Sequence, residues 1–264
     1  MDLIRNFKFN KRFGQNFIFD TNLLTAIVKD SGVTKQDDVL EIGPGAGTLT
    51  KIIAQNCKKV VSYEIDTNLQ TILEDNLKGV KNSKVVFRDA LKTDISEIES
   101  DFENNYKIIA NLPYYITTPL IFKFIEQTKK IDSITVMVQK EVAERFSAKP
   151  NSKEYGSISV FLQYNYDISK VTLVSKNSFY PVPKVDSMVI KFKHKENKMK
   201  PLNEEKFYKL IKNSFKFKRK NLKNNLKEYN LDKINDVLKK YGKDLTVRAE
   251  SLTVDEFIDI SNSL

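Results

Sequence analysis

A polar and aromatic segment, Asn111, Leu112, Pro113 and Tyr114, interrupts an apolar run that begins at residue 108. The side-chain oxygen of Asn111 and a backbone carbonyl of the turn supply two hydrogen-bond acceptors, while Pro113 removes a donor and stiffens the turn. Tyr114 adds an aromatic face that can stack on a base taken out of its helix. Two acceptors suit the exocyclic amine of adenine, because they bind its hydrogens and leave its nitrogen facing a methyl donor. The segment therefore predicts a catalytic site for a flipped base, although a strand-ending turn with packed tyrosines is the alternative.

A glycine-rich turn, EIGPGAG at 41–47, follows one predicted strand and opens a helix, so a ligand can approach its backbone closely. The turn departs from G-x-G-x-x-G and lacks the Gly-Lys-Ser/Thr ending of a phosphate-binding loop. Glu64 ends the next predicted strand, where it can accept hydrogen bonds from both hydroxyls of a ribose. NAD also contains such a ribose, so this contact alone does not distinguish the two cofactors. Glu41 and Asp89 at strand ends would repel a pyrophosphate and suit a positively charged cofactor. This pattern favours S-adenosylmethionine over a glycine turn with scattered surface acids.

Short apolar runs alternate with amphipathic stretches through the first two thirds of the chain, which predicts an α/β fold with a parallel sheet. The predicted strands are 38–43, 59–65, 84–89, 106–111 and 133–139, and the predicted helices are 46–55, 67–77 and 117–127. Two further β-rich stretches, 164–175 and 185–193, are joined by a link too short for a crossover helix, so we expect them to pair antiparallel. Ligands of open α/β sheets bind beyond the carboxyl ends of the strands, where Asn111 lies.

From about residue 203 the apolar residues follow helical spacing, which predicts a small helical domain. The apolar positions of its first helix are Phe207, Leu210, Ile211 and Phe215. The polar stretch 194–203 contains Pro201 and marks the expected boundary. We therefore predict a cofactor-binding domain at 1–195 and a C-terminal helical, RNA-binding domain at 196–264.

Positive charge is concentrated in one part of the chain. Residues 191–243 carry 18 Lys or Arg and 6 Asp or Glu, a surplus of +12, whereas the whole chain has a net charge of +10. A solvated lysine face is the alternative, but this concentration favours contact with a polyanion. The residues predicted to bind RNA phosphates in the densest basic run are Lys216, Lys218, Arg219, Lys220 and Lys223. Lys11 and Arg12 precede a Gly-Gln-Asn turn and are predicted to hold phosphates at the cofactor entrance.

Composition limits the class of protein. No apolar run in the 264 residues approaches the roughly 18 residues that cross a bilayer, and residues 1–13 lack the apolar stretch of a signal peptide. We therefore expect a cytoplasmic protein that has no membrane contact. With one cysteine, Cys57, and one histidine, His194, neither an internal disulfide nor a Cys/His metal cluster can form. Both residues are expected to be structural, and no metal is expected.

Motifs spread over nearly the whole chain resemble the ribosomal RNA adenine N6-dimethyltransferases, most closely the type that acts on small-subunit RNA. The matching segments are KRFGQNFIFD (11–20), EIGPGAGTLT (41–50), YEID (63–66), RDAL (88–91), NLPYYITTPLI (111–121), VQKEVAERF (138–146), FYPVPKVDSMVIKF (179–192), FKRKNLKNNLK (217–227) and LTVRAESLTVDEF (245–257). The resemblance implies a Rossmann-like, class I S-adenosylmethionine-dependent methyltransferase fold. Its mostly parallel sheet would have seven strands with an antiparallel last strand, followed by a small helical domain.

The resemblance also implies site residues and an activity. The cofactor site would be formed by Asn16, Ile18, Gly43, Glu64, Asp89 and Asn111. The target base would lie between Tyr114 and Phe179, which sits in a loop stiffened by two prolines. The implied reaction dimethylates two adjacent adenosines in the hairpin near the 3′ end of 16S RNA in the pre-ribosomal small subunit. We expect a monomer.

Competing functions remain. The chain could be an antibiotic-resistance enzyme that dimethylates one adenine of 23S RNA, or it could be a non-catalytic assembly factor or transcription-factor relative of the same fold. The intact motif at 111–114 and the glycine loop argue against lost turnover. The segments 41–45 and 139–146, together with the basic C-terminal region, resemble the small-subunit enzymes more than the resistance enzymes.

Overall fold

The computed structural model describes residues 16–128, 130–195 and 199–264. Within them the chain forms two compact units, the first ending at 143 and resuming over 169–193, the second comprising 144–168 and everything from 194 onward. The predicted division at 195/196 stays a prediction. The structure adds residues 144–168 to the helical unit, whereas the sequence interpretation places them in the cofactor-binding domain.

Seven of the strands in the described residues form one sheet. In chain order the strands are β1 Phe17–Ile18, β2 Asp38–Ile42, β3 Lys59–Glu64, β4 Ser83–Phe87, β5 Tyr106–Asn111, β6 Ile131–Gln139, β7 Tyr166–Val174, β8 Phe179–Tyr180 and β9 Ser187–His194. The sheet order is β4-β3-β2-β5-β6-β9-β7. Neighbouring strands from β4 to β6 are parallel, and β9 is antiparallel to β6. The predicted α/β class and mostly parallel seven-stranded sheet are therefore confirmed.

Helices connect the strands and build the second unit. They are α1 Thr21–Ser31, α2 Thr48–Ala54, α3 Gln70–Asn76, α4 Ile95–Glu99, α5 Thr117–Gln127, α6 Lys140–Phe146, α7 Ser157–Asn165, α8 Glu204–Ser214, α9 Leu222–Asn225, α10 Leu231–Lys240 and α11 Val254–Ser263. In the part of the chain that the structure describes, none of these helices is long and apolar enough to cross a membrane.

The central strands are apolar because they are covered on both faces. All five residues of β2 are buried, and Val39 and Leu40 have no exposed surface. Val60 and Val61 of β3 are likewise fully buried. Parallel strands covered by helices on both sides read as continuous apolar runs rather than as alternating ones, which is why the sequence located them well.

One boundary prediction was wrong. The β-rich stretch 164–175 was expected to be a strand throughout, but α7 extends through Asn165 and β7 begins at Tyr166. Tertiary packing decides this, because the Tyr164 ring lies 5.0 Å from that of Phe207 and its hydroxyl donates to Glu204 at 2.8 Å. Aromatic residues at alternate positions suit either structure, so local pattern alone could not place the boundary.

The helical unit has its own core, as the spacing in α8 predicts. Phe207, Leu210 and Ile211 are buried, and the partly buried Phe215 packs against the same cluster. Helix α11 begins with a capping box, in which Thr253 accepts from the backbone N–H of Glu256 and the Glu256 carboxylate accepts from that of Thr253. The apolar cluster and the cap fix the frame on which the basic segment sits.

We expect Phe207→Ala to lower the free energy of unfolding by about 3 to 5 kcal/mol, because it empties a fully buried ring site. Phe217→Ala is the matched control, since this ring is 55% exposed in the same unit and its removal should change stability by less than about 0.5 kcal/mol. Denaturant unfolding of both variants measures the difference. Equal losses would contradict the packing described for α8.

Candidate active site

A pocket lies at the carboxyl ends of β2, β3 and β5, where the chain passes from one side of β2 to the other. Such a switch point is where open α/β sheets bind ligands. The predicted cofactor and base-site residues all line this pocket: Asn16, Ile18, Gly43, Glu64, Asp89, Asn111, Leu112, Pro113, Tyr114 and Phe179. The structure thus brings these residues together, while their roles stay predictions.

The glycine loop after β2 is shaped by left-handed backbone conformations. Gly43, Gly45 and Gly47 have φ values of 69°, 58° and 80°. A Cβ on Gly45 would lie 2.6 Å from Cε1 of Phe17, so only glycine fits there. The N–H of Gly43 donates to the carbonyl of Tyr63 at 2.9 Å, which joins the loop to the end of β3. The loop therefore leaves its backbone exposed to a ligand without side chains in the way.

Glu64, the last residue of β3, is held from two sides. Its Oε2 accepts from the N–H of Gly45 at 3.2 Å, and its Oε1 accepts from the N–H of Asp66 at 2.9 Å. Each carboxylate oxygen can accept a second hydrogen bond. Burial raises the pKa of Glu64 above its usual value, although the two backbone donors oppose that effect. The carboxylate is thus fixed in position with acceptor capacity left for hydroxyl groups.

Asn111, the last residue of β5, has a defined amide orientation. Its Nδ2 donates to the backbone carbonyl of Asn16 at 3.1 Å. A carbonyl only accepts, so the nitrogen end of the amide must face Asn16. Among the residues that the structure describes, no donor contacts Oδ1 of Asn111. This oxygen is the acceptor that the site offers to a ligand amine.

A two-stranded antiparallel sheet places residues 16–18 beside the pocket. Ile18 of β1 pairs with Phe179 of β8, and Phe17 pairs with Tyr180. This pairing brings Asn16 and Phe179 to the same site, although they are far apart in sequence. Sequence reasoning missed the small sheet and the contact of Phe17 with the glycine loop, because two-residue strands carry no periodicity.

Three aromatic residues line the pocket near the turn after β5. The Tyr114 hydroxyl hydrogen-bonds with Oγ of Ser187 at 2.8 Å, and burial raises its pKa. Phe179 is 3% exposed and is packed within the core cluster that includes Ile18. Tyr115 is exposed and also lines the pocket. Tyr114 and Phe179 are therefore held by their neighbours, one by a hydrogen bond and the other by apolar packing.

Asp89 lies in a loop after β4 that a partly buried lysine fastens. Nζ of Lys123 donates to the carbonyls of Ala90 and Leu91, both at 3.0 Å, and to that of Thr93. Oδ1 of Asp89 accepts from the N–H of Leu91 at 2.9 Å. Burial lowers the pKa of Lys123. Lys123 was not singled out from sequence, where a lysine in an amphipathic helix looks like a surface residue.

The charges of the pocket suit a cation better than a phosphate. Arg88 is the only lysine or arginine among the described lining residues, and it forms an ion pair with Glu97. Glu64, at the end of β3, and Asp89, in the loop after β4, place two carboxylates in the lining of the same pocket. In the described part of the chain, no group of three or more His, Cys, Asp or Glu residues is placed to hold a metal ion.

Glu41 does not line the pocket. Its Oε2 accepts from Oγ1 of Thr50 at 2.6 Å and from Oγ of Ser62 at 2.7 Å, and the side chain is fully buried. Burial raises its pKa to about 7. The suggestion that Glu41 faces a cationic cofactor is therefore wrong, and its role is to join β2, α2 and β3.

Five of the seven residues predicted to bind RNA are among those that the structure describes. The five side chains of the basic run are all exposed in the second unit: Lys216, Lys218, Arg219, Lys220 and Lys223. Lys11 and Arg12 lie outside the described residues.

Cys57 is buried, and burial raises its pKa to about 12, which agrees with a structural thiol. His194 stacks edge-on against Tyr166 with ring centroids 5.4 Å apart.

The buried Glu41 gives a testable pH dependence. Because burial raises its pKa from 4.5 to about 7, the folded state binds this proton more tightly than the unfolded state. Its contribution to stability is therefore complete below about pH 4.5 and is lost as the pH rises through about 7. Glu41→Gln should remove this loss and gain on the order of 3 kcal/mol relative to wild type across the window. Parallel pH profiles of unfolding for the two proteins would contradict the buried placement.

Comparison with known proteins identifies relatives over almost the whole chain. The sequence model of the family described as "Ribosomal RNA adenine dimethylase" matches residues 6–264. A protein named "Ribosomal RNA small subunit methyltransferase A" from Clostridium botulinum is 42% identical over 261 residues, which covers 98% of this chain and 94% of the relative. A protein of the same name from Clostridioides difficile is 43% identical, covering 97% and 91%.

Solved structures share the fold. A dimethyladenosine transferase from Plasmodium falciparum matches with a TM-score of 0.77 and 27% identity, covering 92% of this chain and 95% of the other. The 23S rRNA methyltransferase ErmE matches with a TM-score of 0.78 and 23% identity, covering 94% and 99%. The second likeness shows the fold alone, so it does not bear on the choice of RNA.

Proposed function

Because the chain belongs to the ribosomal RNA adenine dimethylase family and is an rRNA adenine dimethyltransferase, we propose that it acts on the small subunit. It dimethylates the exocyclic amines of two adjacent adenosines in the hairpin near the 3′ end of 16S RNA. The methyl donor is S-adenosylmethionine, and the substrate is the pre-ribosomal small subunit. That the enzyme works as a monomer in the cytoplasm stays a prediction from sequence.

One observation carries the catalytic part of this proposal. The hydrogen bond from Nδ2 of Asn111 to the carbonyl of Asn16 leaves Oδ1 as an acceptor in the pocket at the carboxyl ends of the strands. This acceptor lies in the same pocket as the glycine loop, Glu64 and Tyr114. The pocket therefore combines an acceptor for the adenine amine, an acceptor for ribose hydroxyls and an aromatic ring for stacking on the base.

The residues of the pocket fit S-adenosylmethionine. When bound, S-adenosylmethionine supplies an electrophilic methyl group attached to a positively charged sulfur. The glycine loop offers backbone to the pocket at Gly43 and Gly45, and the missing Cβ of Gly45 lets Phe17 pack against the other side of the loop. Glu64 would accept the ribose hydroxyls, and Asp89 lies in a loop that Lys123 holds in place. The paired Arg88 leaves no unpaired basic side chain among the described lining residues to bind a pyrophosphate.

The turn after β5 supplies the second acceptor. The carbonyl of Pro113 already accepts from the N–H of Ile116 and from Oγ1 of Thr117, both at 3.1 Å. We therefore assign the Leu112 carbonyl to the second amine hydrogen. With both hydrogens bound, the nitrogen lone pair of the amine is directed away from the two acceptors.

Beyond orienting the amine, the protein need not supply a base for the chemical step. Bound S-adenosylmethionine would supply the methyl group, with a C–N bond forming as its C–S bond breaks, and Asn111 and the Leu112 carbonyl would orient the amine nitrogen for this transfer. The product amine carries an extra proton, is strongly acidic and passes that proton to water, so no side-chain base is needed. Tyr114 and Phe179 are proposed to hold the base between them, with the Tyr114 ring fixed by its bond to Ser187. Orientation is therefore the main catalytic contribution of these residues.

The relatives favour the small subunit over the other candidate functions. The proteins at 42% and 43% identity cover nearly all of this chain and carry the name of a small-subunit methyltransferase. The exposed cations of 216–223 are proposed to bind RNA phosphates, which position the substrate without reading its sequence.

Glu64→Gln should weaken S-adenosylmethionine binding by about tenfold or more, because the amide nitrogen cannot accept hydrogen bonds from a ribose. Glu74→Gln is the matched control, since Glu74 is exposed on α3 and outside the pocket lining. Isothermal calorimetry measures both variants. Tight binding of NAD by the wild-type protein would overturn the cofactor assignment.

Methyl transfer tests the proposed function as a whole. Radiolabelled S-adenosylmethionine is incubated with the enzyme and either small or large ribosomal subunits that lack these modifications, and the methylated bases are mapped. We expect label in two adjacent adenosines of the 16S RNA, with two methyl groups on each. Label confined to an adenine of the 23S RNA, or none in either subunit, would refute the proposal.

A further inference from the structure

An aromatic side chain stands exposed in the middle of the basic run. Phe217 is 55% exposed, although Phe207 and Phe215, which precede it in sequence, contribute to the core of the same unit. Single exposed apolar residues are common on protein surfaces and need no special explanation. Phe217 differs in that its backbone is fixed and its surroundings are cationic, so its exposure is maintained by the fold.

The turn that carries Phe217 is held by the side chain of Asn225. Oδ1 of Asn225 accepts from the N–H of Phe217 at 3.1 Å, and Nδ2 donates to the carbonyls of Phe217 and Lys220, both at 3.3 Å. The N–H of Lys220 also donates to the carbonyl of Phe217 at 2.9 Å, which closes the turn. The ring is therefore attached to a backbone with a defined conformation.

The helix that supplies Asn225 is itself anchored. The N–H of Leu222 donates to the carbonyl of Val247 at 2.9 Å, and that of Lys223 donates to the carbonyl of Leu245 at 3.1 Å. Leu222 and Leu226 are buried in the core of the second unit. These contacts hold the helix α9, and through Asn225 they hold the exposed turn that carries Phe217.

Basic residues flank Phe217 in sequence, and one of them lies close to the ring. Nζ of Lys216 lies 5.6 Å from the centroid of the Phe217 ring, and Nζ of Lys218 donates to the carbonyl of Lys153 at 2.8 Å. Within the described residues, none of the five cations of the basic run forms an ion pair with a carboxylate. In the free protein, the crowded like charges repel one another and the phenyl ring stays in contact with water, and both effects are unfavourable. A partner that is anionic and carries flat apolar faces relieves both.

We propose that Phe217 stacks on an unpaired base of the ribosomal RNA while the flanking cations bind the phosphates on either side of it. Unpaired RNA combines these two chemistries, since each of its bases has a stacking face and each linkage carries a negative charge. This inference rests on the proposed function and adds a base contact in the second unit. This stacking contact would make the basic surface bind single-stranded RNA loops in preference to fully paired RNA helices.

Binding of a hairpin with an unpaired loop, and of a fully paired duplex of equal length, tests the inference. Phe217→Ala should weaken hairpin binding roughly 5- to 150-fold and leave duplex binding nearly unchanged. Phe217→Tyr should retain affinity, whereas Phe217→Leu should behave as the alanine variant, because leucine keeps apolar surface but cannot stack. Equal affinity of wild type and Phe217→Ala for the hairpin would overturn the inference, as would full affinity in Phe217→Leu.

Salt dependence separates stacking from phosphate binding. Replacing Lys218, Arg219, Lys220 and Lys223 with Ala should flatten the plot of log affinity against log salt, by roughly 0.7 to 0.9 for each phosphate that is no longer neutralised. Phe217→Ala should lower affinity at every salt concentration without changing the slope. A changed slope in Phe217→Ala would mean that the ring acts only by placing the cations, which contradicts direct stacking.

The chain contains no tryptophan, so one introduced tryptophan gives a local signal. Phe217→Trp should show fluorescence quenching when unmethylated small subunits are added, because a stacked base quenches the indole. Leu202→Trp is the control, since Leu202 is 85% exposed in the same unit but outside the basic run. Absence of quenching at position 217, in a protein that still methylates the small subunit, would reject the inference and leave the proposed function standing. Quenching by an acidic protein but not by RNA would reject it in favour of a protein partner.

Discussion

The hydrogen bond between Nδ2 of Asn111 and the carbonyl of Asn16 is the constraint on which the active site depends. It fixes which end of the amide faces the pocket, and it links the end of β5 to Asn16, the residue before β1. Asn16 adjoins β1, which pairs with β8 and so lies next to Phe179. This hydrogen bond thus couples the predicted acceptor Asn111 to Asn16 and, through the β1–β8 pairing, to the predicted stacking residue Phe179.

The electrostatics of the pocket follow from the same arrangement of strand ends. Parallel strands place the carboxylates of Glu64 and Asp89 at one edge of the sheet, and backbone N–H groups hold both in fixed positions. Glu41, one strand over, is withdrawn into the core and bonded to Thr50 and Ser62. All three carboxylates were predicted at strand ends, but Glu41 has a structural role, whereas Glu64 and Asp89 are available to a ligand.

The sequence predicted the sheet and residues that line one pocket, because buried parallel strands leave continuous apolar runs and their ends fall at one edge. It could not predict the β1–β8 pairing, since the pairing of two-residue strands depends on tertiary contacts. It also misplaced Tyr164, whose burial against Phe207 extends α7, and it missed Lys123 because a helical lysine gives no sign of three carbonyl partners. In each case long-range packing supplied the information.

The most direct test of the account is the single-turnover rate of methyl transfer by Asn111→Ala. Removal of one positioned acceptor should lower the rate on the order of a hundredfold or more, with the fold intact. Asn105→Ala is the control, because the Asn105 side chain bonds Asp132 on the surface, away from the pocket, and this variant should react at the wild-type rate. A folded Asn111→Ala protein that methylates at the wild-type rate would contradict the central role of the Asn111 acceptor.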